Sequence, residues 1–500
     1  MTLPGTTATG PEQPMRPELA ETRPLESTST TLSVPPGADD QRRTNSDEFW
    51  GHRLGINRGR DLSPDQDKGG RTPNLRAELY RLADAYRPHA LAPRVAKCSH
   101  VRHSKTVDVS RAEGGKAQLG GLIKCRSKAC AVCLARRRAD YADQVKKVAE
   151  LWLTGWKGSV PQPDHVHHKT GEHTPRPDIV ELARHPFTPA YLLTCTIRHG
   201  WDDDLKTTGH GVRNAWRALL QSRAWRELRE RFGLEYIVAE EVTHGANGWH
   251  PHLHVLLLPA RRFKRAELAE IRPKLYELWA SMVEQHIGWE HMPLREYGTD
   301  LRRCSKEDYI SKAIGLELAD PGNKRGRGKG SRTPVQLLQA YADNGDEQAL
   351  QLYQHYERTM RGRRDMTWSK GLREYRIVAQ ALLAAERQAE AELAPLVAEV
   401  PGDIWDRWRQ VERPHVRLLE AAEQAGLPGV LVLLGAELGA WVADVVADAT
   451  ARAVRARESA DLQAGPKVGP PSCGPPAELE ALPDPLDLVE LCSFEAADPF

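Results

Sequence analysis

Cysteine is scarce in this chain, with eight in 500 residues, so a disulfide scaffold does not carry the fold. Nothing near the N-terminus pairs a basic start with an apolar run, so no leader is expected and a cytoplasmic protein is. Long uncharged apolar runs are missing as well. The most apolar stretch, Leu427 to Ala447, is interrupted by Glu437 and Asp444, which favours a packed helix over a membrane span. A nucleotide-binding loop is also lacking. Gly322 to Arg332 is rich in glycine and cations but does not end in Gly-Lys-Ser/Thr, so it reads as a solvated or phosphate-contacting loop and implies no ATPase.

What is present is enough for a sizeable core: 40% hydrophobic residues and 28% charged ones place the chain outside the fully disordered and membrane classes. At roughly 150 residues per domain, the length fits about three domains, or one large body with extended flanks. The net charge of +2 hides an asymmetry: residues 377–500 hold 9 Lys/Arg against 21 Asp/Glu, a net of −12, which leaves +14 on residues 1–376. The basic part is suited to polyanions.

Residues 1–75 are rich in Thr, Ser, Pro and Gly without apolar periodicity, and are expected to be disordered. A short amphipathic helix is expected over Leu75–Tyr86, then a cysteine-rich module to residue 156 that ends in a helix from about Leu134 to Trp156. Residues 157–186, with His165, His167, His168 and His173, read as a Pro/His-rich surface insertion. The β signals concentrate in residues 187–376: strands are expected at Ala190–Arg198, Tyr236–Thr243 and Trp249–Leu258, the last two joined through Asn247-Gly248 as a hairpin. Helical periodicity runs around Leu205–Phe232 and Lys264–His286. Irregular alternation of strands and helices favours an α+β fold over a parallel sheet. An acidic helical region over 377–460 and a Pro-rich disordered tail over 461–500 complete the chain.

Strand alternation in His250-Pro-His-Leu-His254 sends three imidazoles to one face, with Leu253 and Val255 anchoring the other. Imidazoles two apart on a strand can chelate a divalent cation. If Thr243 pairs with His250, Glu241 faces His252 and completes the site; a slip of one residue hands that place to Glu240. Glu241 is the expected ligand beside His252 and His254. Further on, Tyr309-Ile-Ser-Lys312 puts a phenol and an ammonium on one helical face, a pair suited to attack on phosphorus once a cation lowers the cost of ionising the hydroxyl.

Taken in order, these segments resemble the plasmid rolling-circle replication initiators (Rep proteins) of the HUH endonuclease superfamily, in the group with a single catalytic tyrosine. Leu192-Leu-Thr-Cys-Thr-Ile-Arg-His199 resembles the first motif strand, Glu241-Val-Thr with Gly248-Trp-His-Pro-His-Leu-His254 resembles the metal motif, and Tyr309-Ile-Ser-Lys312 resembles the nucleophile motif. The cysteine cluster and Trp368-Ser-Lys-Gly-Leu372 also fit, and the likeness spans residues 95–376. It implies an antiparallel-sheet endonuclease core over 187–376, in which Tyr309 cleaves one strand at the double-strand origin, joins its 5′-phosphate and leaves a 3′-hydroxyl, with His252 and His254 holding Mg²⁺ or Mn²⁺. Lys312 is expected to steady the phosphate or shift the phenol. The chain departs from the pattern at one position: relatives carry a water-activating glutamate four residues before the tyrosine, and here Ser305 stands there. Glu307 is the nearby candidate, although Ser305 and Asp308 also read as a variant capping box.

Cys98, Cys125, Cys130 and Cys133 fall within 36 positions, which points to a structural zinc site of four thiolates; His100 or His103 could replace Cys98. Such a site would pin a loop so that Lys124, Arg126, Lys128, Arg136, Arg137 and Arg138 meet DNA phosphates. Cys195, Cys304, Cys473 and Cys492 read as ordinary thiols. The expected partner is origin DNA, duplex and single-stranded, with a host helicase and polymerase as further candidates and no membrane. Two alternatives stand beside this reading: a conjugative relaxase or transposase of the same superfamily, and a zinc-dependent DNA-binding regulator without catalysis.

Overall fold

Apolar residues on both parities of Glu235–Gly245 and Gly248–Leu258 build the centre of the protein. The computed structural model describes residues 75–464, apart from 113–114, 168, 170, 186–187, 305–330, 365 and 393. The segments expected to be disordered, and Ser305, Glu307, Tyr309 and Lys312, therefore lie outside the described residues, except that helix reaches from Leu75 and to Ala464.

Among the described residues the main sheet has five strands, all antiparallel, in the order Thr299–Arg303, Tyr191–Cys195, Gly248–Leu258, Glu235–Gly245, Met366–Trp368. The hairpin register pairs Thr243 with His250, Glu241 with His252 and Ala239 with His254. Its turn depends on Gly248, whose φ is +80° and whose missing Cβ would lie 2.8 Å from the Gly200 carbonyl; only glycine takes that conformation without strain. Val238, Leu253, Val255 and Leu257 point to one face, where Leu205–Gln221 and Arg265–His286 cover them with Val212, Trp216, Leu275 and Trp279. On the opposite face, Ile237, Ala239, Leu256 and Leu258 pack against Ala131–Thr154 and Arg373–Glu392 through Val148, Trp152, Tyr375 and Val378. The fold is therefore α+β.

Several elements differ from the expectation. The helical stretch around Leu205–Phe232 is two helices, because Ser222 ends the first and caps the second, accepting from the Trp225 amide at 3.2 Å. The edge strand Thr299–Arg303 carries a mostly polar sequence that gives no strand pattern; pairing with Tyr191–Cys195 supplies what periodicity does not. Within 157–186, Trp156–Val160 pairs with Ile179–Leu182 and His165–Val166 with His173–Thr174.

The largest difference lies after residue 376, a position inside the helix Arg373–Glu392. The region expected to be helical holds a strand, Leu396–Pro401, that pairs antiparallel with Thr106–Ser110 of the cysteine-rich module. Val107, Val109, Ala398, Val400, Trp405, Trp408 and Leu418 then form one core that draws on both regions. The apolar run Leu427–Ala447 is divided between Pro414–Leu438 and Ala440–Ala464 by a break at Gly439, and the first of these helices is itself kinked at Gly426. By length and composition Pro414–Leu438 could cross a membrane. Its Val416, Leu418, Leu419, Val430 and Leu434 are packed into this core, while Val432 is 72% exposed.

Candidate metal centres

The hairpin register decides the first centre. Glu241 and His252 are cross-strand neighbours and His254 lies two residues on, so all three project from the same face of the sheet. The Nε2 atoms of His252 and His254 both approach a single oxygen, Glu241 Oε2, at 3.2 and 2.9 Å, and the three side chains are about nine-tenths buried. The opposite ring nitrogens are also directed: His252 Nδ1 lies 3.3 Å from its neighbour carbonyl, His250 O, and His254 Nδ1 lies 3.2 Å from Thr194 Oγ1 on the adjoining strand. Two imidazoles and a carboxylate converging on one point form a donor set for a divalent cation.

Glu240, the alternative ligand, points to the other face and is consumed there. Arg213 Nε donates to it at 2.7 Å and Arg363 Nη1 at 3.3 Å, in a buried ion cluster beneath Gly209. His250 shares the face of His252 and His254 but stays outside the converging set. Its ring stacks on His199 at 4.4 Å, its Nε2 is buried without a hydrogen-bond partner, and burial next to His252 and His199 pushes its pKa down to about 3. Thr194 and His199 were not among the expected site residues. The strand pattern of Leu192–Cys195 carries the signal for Thr194, since it places Thr194 beside His254, but only the pairing with Gly248–Leu258 makes that legible.

The second centre joins Cys98, Cys125, Cys130 and Cys133, all buried, with every sulfur within 4.8 Å of the others. Cys130 stands at the N-cap position of the helix Ala131–Thr154 and Cys133 sits in its first turn. The Cys125 amide donates to Cys98 Sγ at 3.3 Å and the Ser127 amide to Cys125 Sγ at 3.4 Å. Hydrogen bonds from Cys125, Cys130 and Cys133 hold the Cys98 thiol well below its ordinary value. Four convergent sulfurs with amides aimed at two of them could hold a tetrahedral metal ion. His100 and His103 are not in the set: the His100 carbonyl accepts from Trp405 Nε1 at 3.0 Å, and His103 is exposed beside Ser104. His165 and His173 fall on opposite faces of their small hairpin.

Of the cations expected to meet DNA, Arg126 and Arg136 are exposed and Arg137 and Arg138 half-buried. Lys128 is only 8% exposed, and the Lys124 amine lies 3.3 Å from Ser99 Oγ beside the cysteines, where burial lowers its pKa. Lys124 is thus close enough to the thiol cluster to interact with its charge.

Fold and sites together define an α+β protein with two metal-ligand clusters, a Glu/His/His set on the central hairpin and a Cys₄ set in the basic module before it. The chain is 26% identical over 336 residues to "Protein rep" of Streptomyces lividans, a match that covers 54% of this chain and 67% of that protein. No family model matches the chain, and no solved structure gives a significant match.

Proposed function

We propose that this protein is a rolling-circle plasmid replication initiator, an HUH endonuclease that nicks one strand at the double-strand origin and rejoins it at termination. The observation that carries this reading is the convergence of Glu241, His252 and His254 on one point of the central hairpin; the replication-protein name of the Streptomyces relative supports it. A Mg²⁺ or Mn²⁺ ion held by these three residues would polarise the scissile phosphate. Tyr309 is the proposed nucleophile. Its hydroxyl oxygen attacks phosphorus as its proton leaves, the bond from phosphorus to the 3′ oxygen breaks, and the released 3′-hydroxyl, protonated, primes synthesis while the 5′-phosphate stays on the tyrosine. Lys312 is assigned to steady the phosphate, and, because Ser305 stands where relatives carry the water-activating glutamate, Glu307 is the candidate base for the water or hydroxyl that ends the cycle. Zinc in the Cys₄ set would be structural, and Arg126 and Arg136 to Arg138 would contribute phosphate contacts that weaken with salt. Origin DNA, with a host helicase and polymerase, is the proposed company of this cytoplasmic enzyme.

The test incubates purified protein with 5′- or 3′-end-labelled single-stranded oligonucleotides spanning the origin, with and without Mn²⁺. The expected result is a metal-dependent covalent adduct on the 5′-phosphate side that is lost in Tyr309→Phe. Cleavage only at a transfer origin or transposon end would assign the protein to the relaxases or transposases. Tight duplex binding without any cleavage would make it a noncatalytic regulator.

A further inference from the structure

The two imidazoles of the Glu/His/His centre present the same atom, Nε2, to Glu241 Oε2, although free histidine offers two ring nitrogens and two tautomers. What selects Nε2 is visible on the far side of each ring. His252 Nδ1 faces the His250 carbonyl at 3.3 Å, and a carbonyl can only accept, so that nitrogen carries a proton; in the neutral ring that binds a cation, Nε2 then keeps its lone pair. The ring of His254 meets a side chain there. Its Nδ1 faces the hydroxyl of Thr194 at 3.2 Å, which comes from the neighbouring strand because Thr194 pairs with His254 across the sheet. A hydroxyl both donates and accepts.

We propose that Thr194 is the positioning residue of this centre: its Oγ1 accepts from Nδ1–H of His254, fixing the ring and the tautomer so that both Nε2 lone pairs meet the cation together with Glu241. The proposal rests on the metal reading of the preceding subsection. It also makes the two ligands unequal. The His250 carbonyl behind His252 is backbone from its own strand and survives any side-chain substitution, whereas the Thr194 hydroxyl behind His254 belongs to a side chain on another strand. Losing such an outer partner lowers metal affinity by about 10- to 100-fold.

The measurement is Mn²⁺ binding to the full-length protein, followed by electron paramagnetic resonance of the free ion, for wild type, Thr194→Ser and Thr194→Val. Valine keeps the shape and β-propensity of threonine without the hydroxyl. The expected outcome is near-wild-type affinity for serine and a loss of about tenfold or more for valine, with the thermal melts of both variants close to wild type. In protein loaded with a diamagnetic divalent ion, ¹⁵N spectra of labelled histidine should show the His254 proton on Nδ1. A valine variant that binds Mn²⁺ like wild type, serine and valine variants weakened equally, or a His254 proton on Nε2 in the loaded protein would each overturn the proposal. If Thr194→Val does not fold, the serine affinity and the wild-type nitrogen spectrum decide. Wild type that binds no Mn²⁺ would instead overturn the metal reading itself, and this proposal with it.

Discussion

Glu241 is the residue on which the first centre turns, since one of its oxygens gathers both imidazoles. Glu241→Gln keeps the shape and removes the charge, so Mn²⁺ affinity should fall by at least about tenfold while the melt stays near wild type; unchanged affinity in a calorimetric titration would remove Glu241 from the ligand set. His415 governs a different property. It is fully buried, stacks on Tyr80 at 4.5 Å and donates from Nε2 to the Ser99 carbonyl next to Cys98, and burial pushes its pKa down to about 3 from an ordinary 6.5. The unfolded chain therefore binds a proton more readily than the folded one. The stabilising contribution is complete above pH 6.5 and shrinks as pH falls towards 3, by at most about 1.4 kcal/mol per pH unit. Urea melts between pH 7.5 and 4.5 should show this decline in wild type and a shallower one in His415→Gln, which does not titrate. Equal slopes would remove His415 as its source.

At the scale of elements, the register of one hairpin separates two adjacent acids into two roles. Odd positions of Glu235–Gly245 share a face with the even positions of Gly248–Leu258, so Glu241 joins the imidazoles while Glu240 neutralises Arg213 and Arg363 behind the sheet. The helix Ala131–Thr154 links the two centres. Its first turn carries Cys130 and Cys133, and its later turns place Val148 and Trp152 against the sheet face that bears the Glu/His/His set. Cys130→Ser should leave purified protein with less than the one zinc per chain expected for wild type by elemental analysis, and should lower the melting temperature by several degrees, as the loss of a structural site does. A full zinc complement in the variant would mean that Cys130 is not a ligand.

Across the whole molecule, the acidic C-terminal region is part of the cysteine-rich module. Strand Leu396–Pro401 covers the side of Thr106–Ser110 opposite Gln118–Leu119, and Trp405 and His415 hydrogen-bond the His100 and Ser99 carbonyls beside Cys98. A chain ending at residue 394 would expose Val107 and Val109, both fully buried in the intact protein, and strip the cysteine loop of these contacts. Such a chain should aggregate or purify with little zinc. Wild-type zinc content and solubility in that truncation would show the region to be an appendage, as its charge difference from the rest of the chain suggests when read alone.

The sequence by itself determined what depends on neighbours in the chain: the helix Leu75–Tyr86 and the helix after Lys264 from apolar periodicity, the hairpin from Asn247-Gly248 between apolar runs, and the gathering of four cysteines within 36 positions. It also narrowed the carboxylate that faces the imidazoles to Glu241 or Glu240, since a slip of one residue in the hairpin register exchanges them. Tertiary structure alone decided between them. It likewise decided that Thr194 backs His254, that Lys124 sits beside the thiols, that Thr299–Arg303 is an edge strand, and that Leu396–Pro401 returns nearly 300 residues later to pair with Thr106–Ser110. The physical reason is the same in each case. Periodicity reports which face of an element is apolar, but a polar edge strand, a hydroxyl behind a ligand or a β-pairing between distant segments has its partner elsewhere in the chain, and that partner exists only once the core has brought the two together.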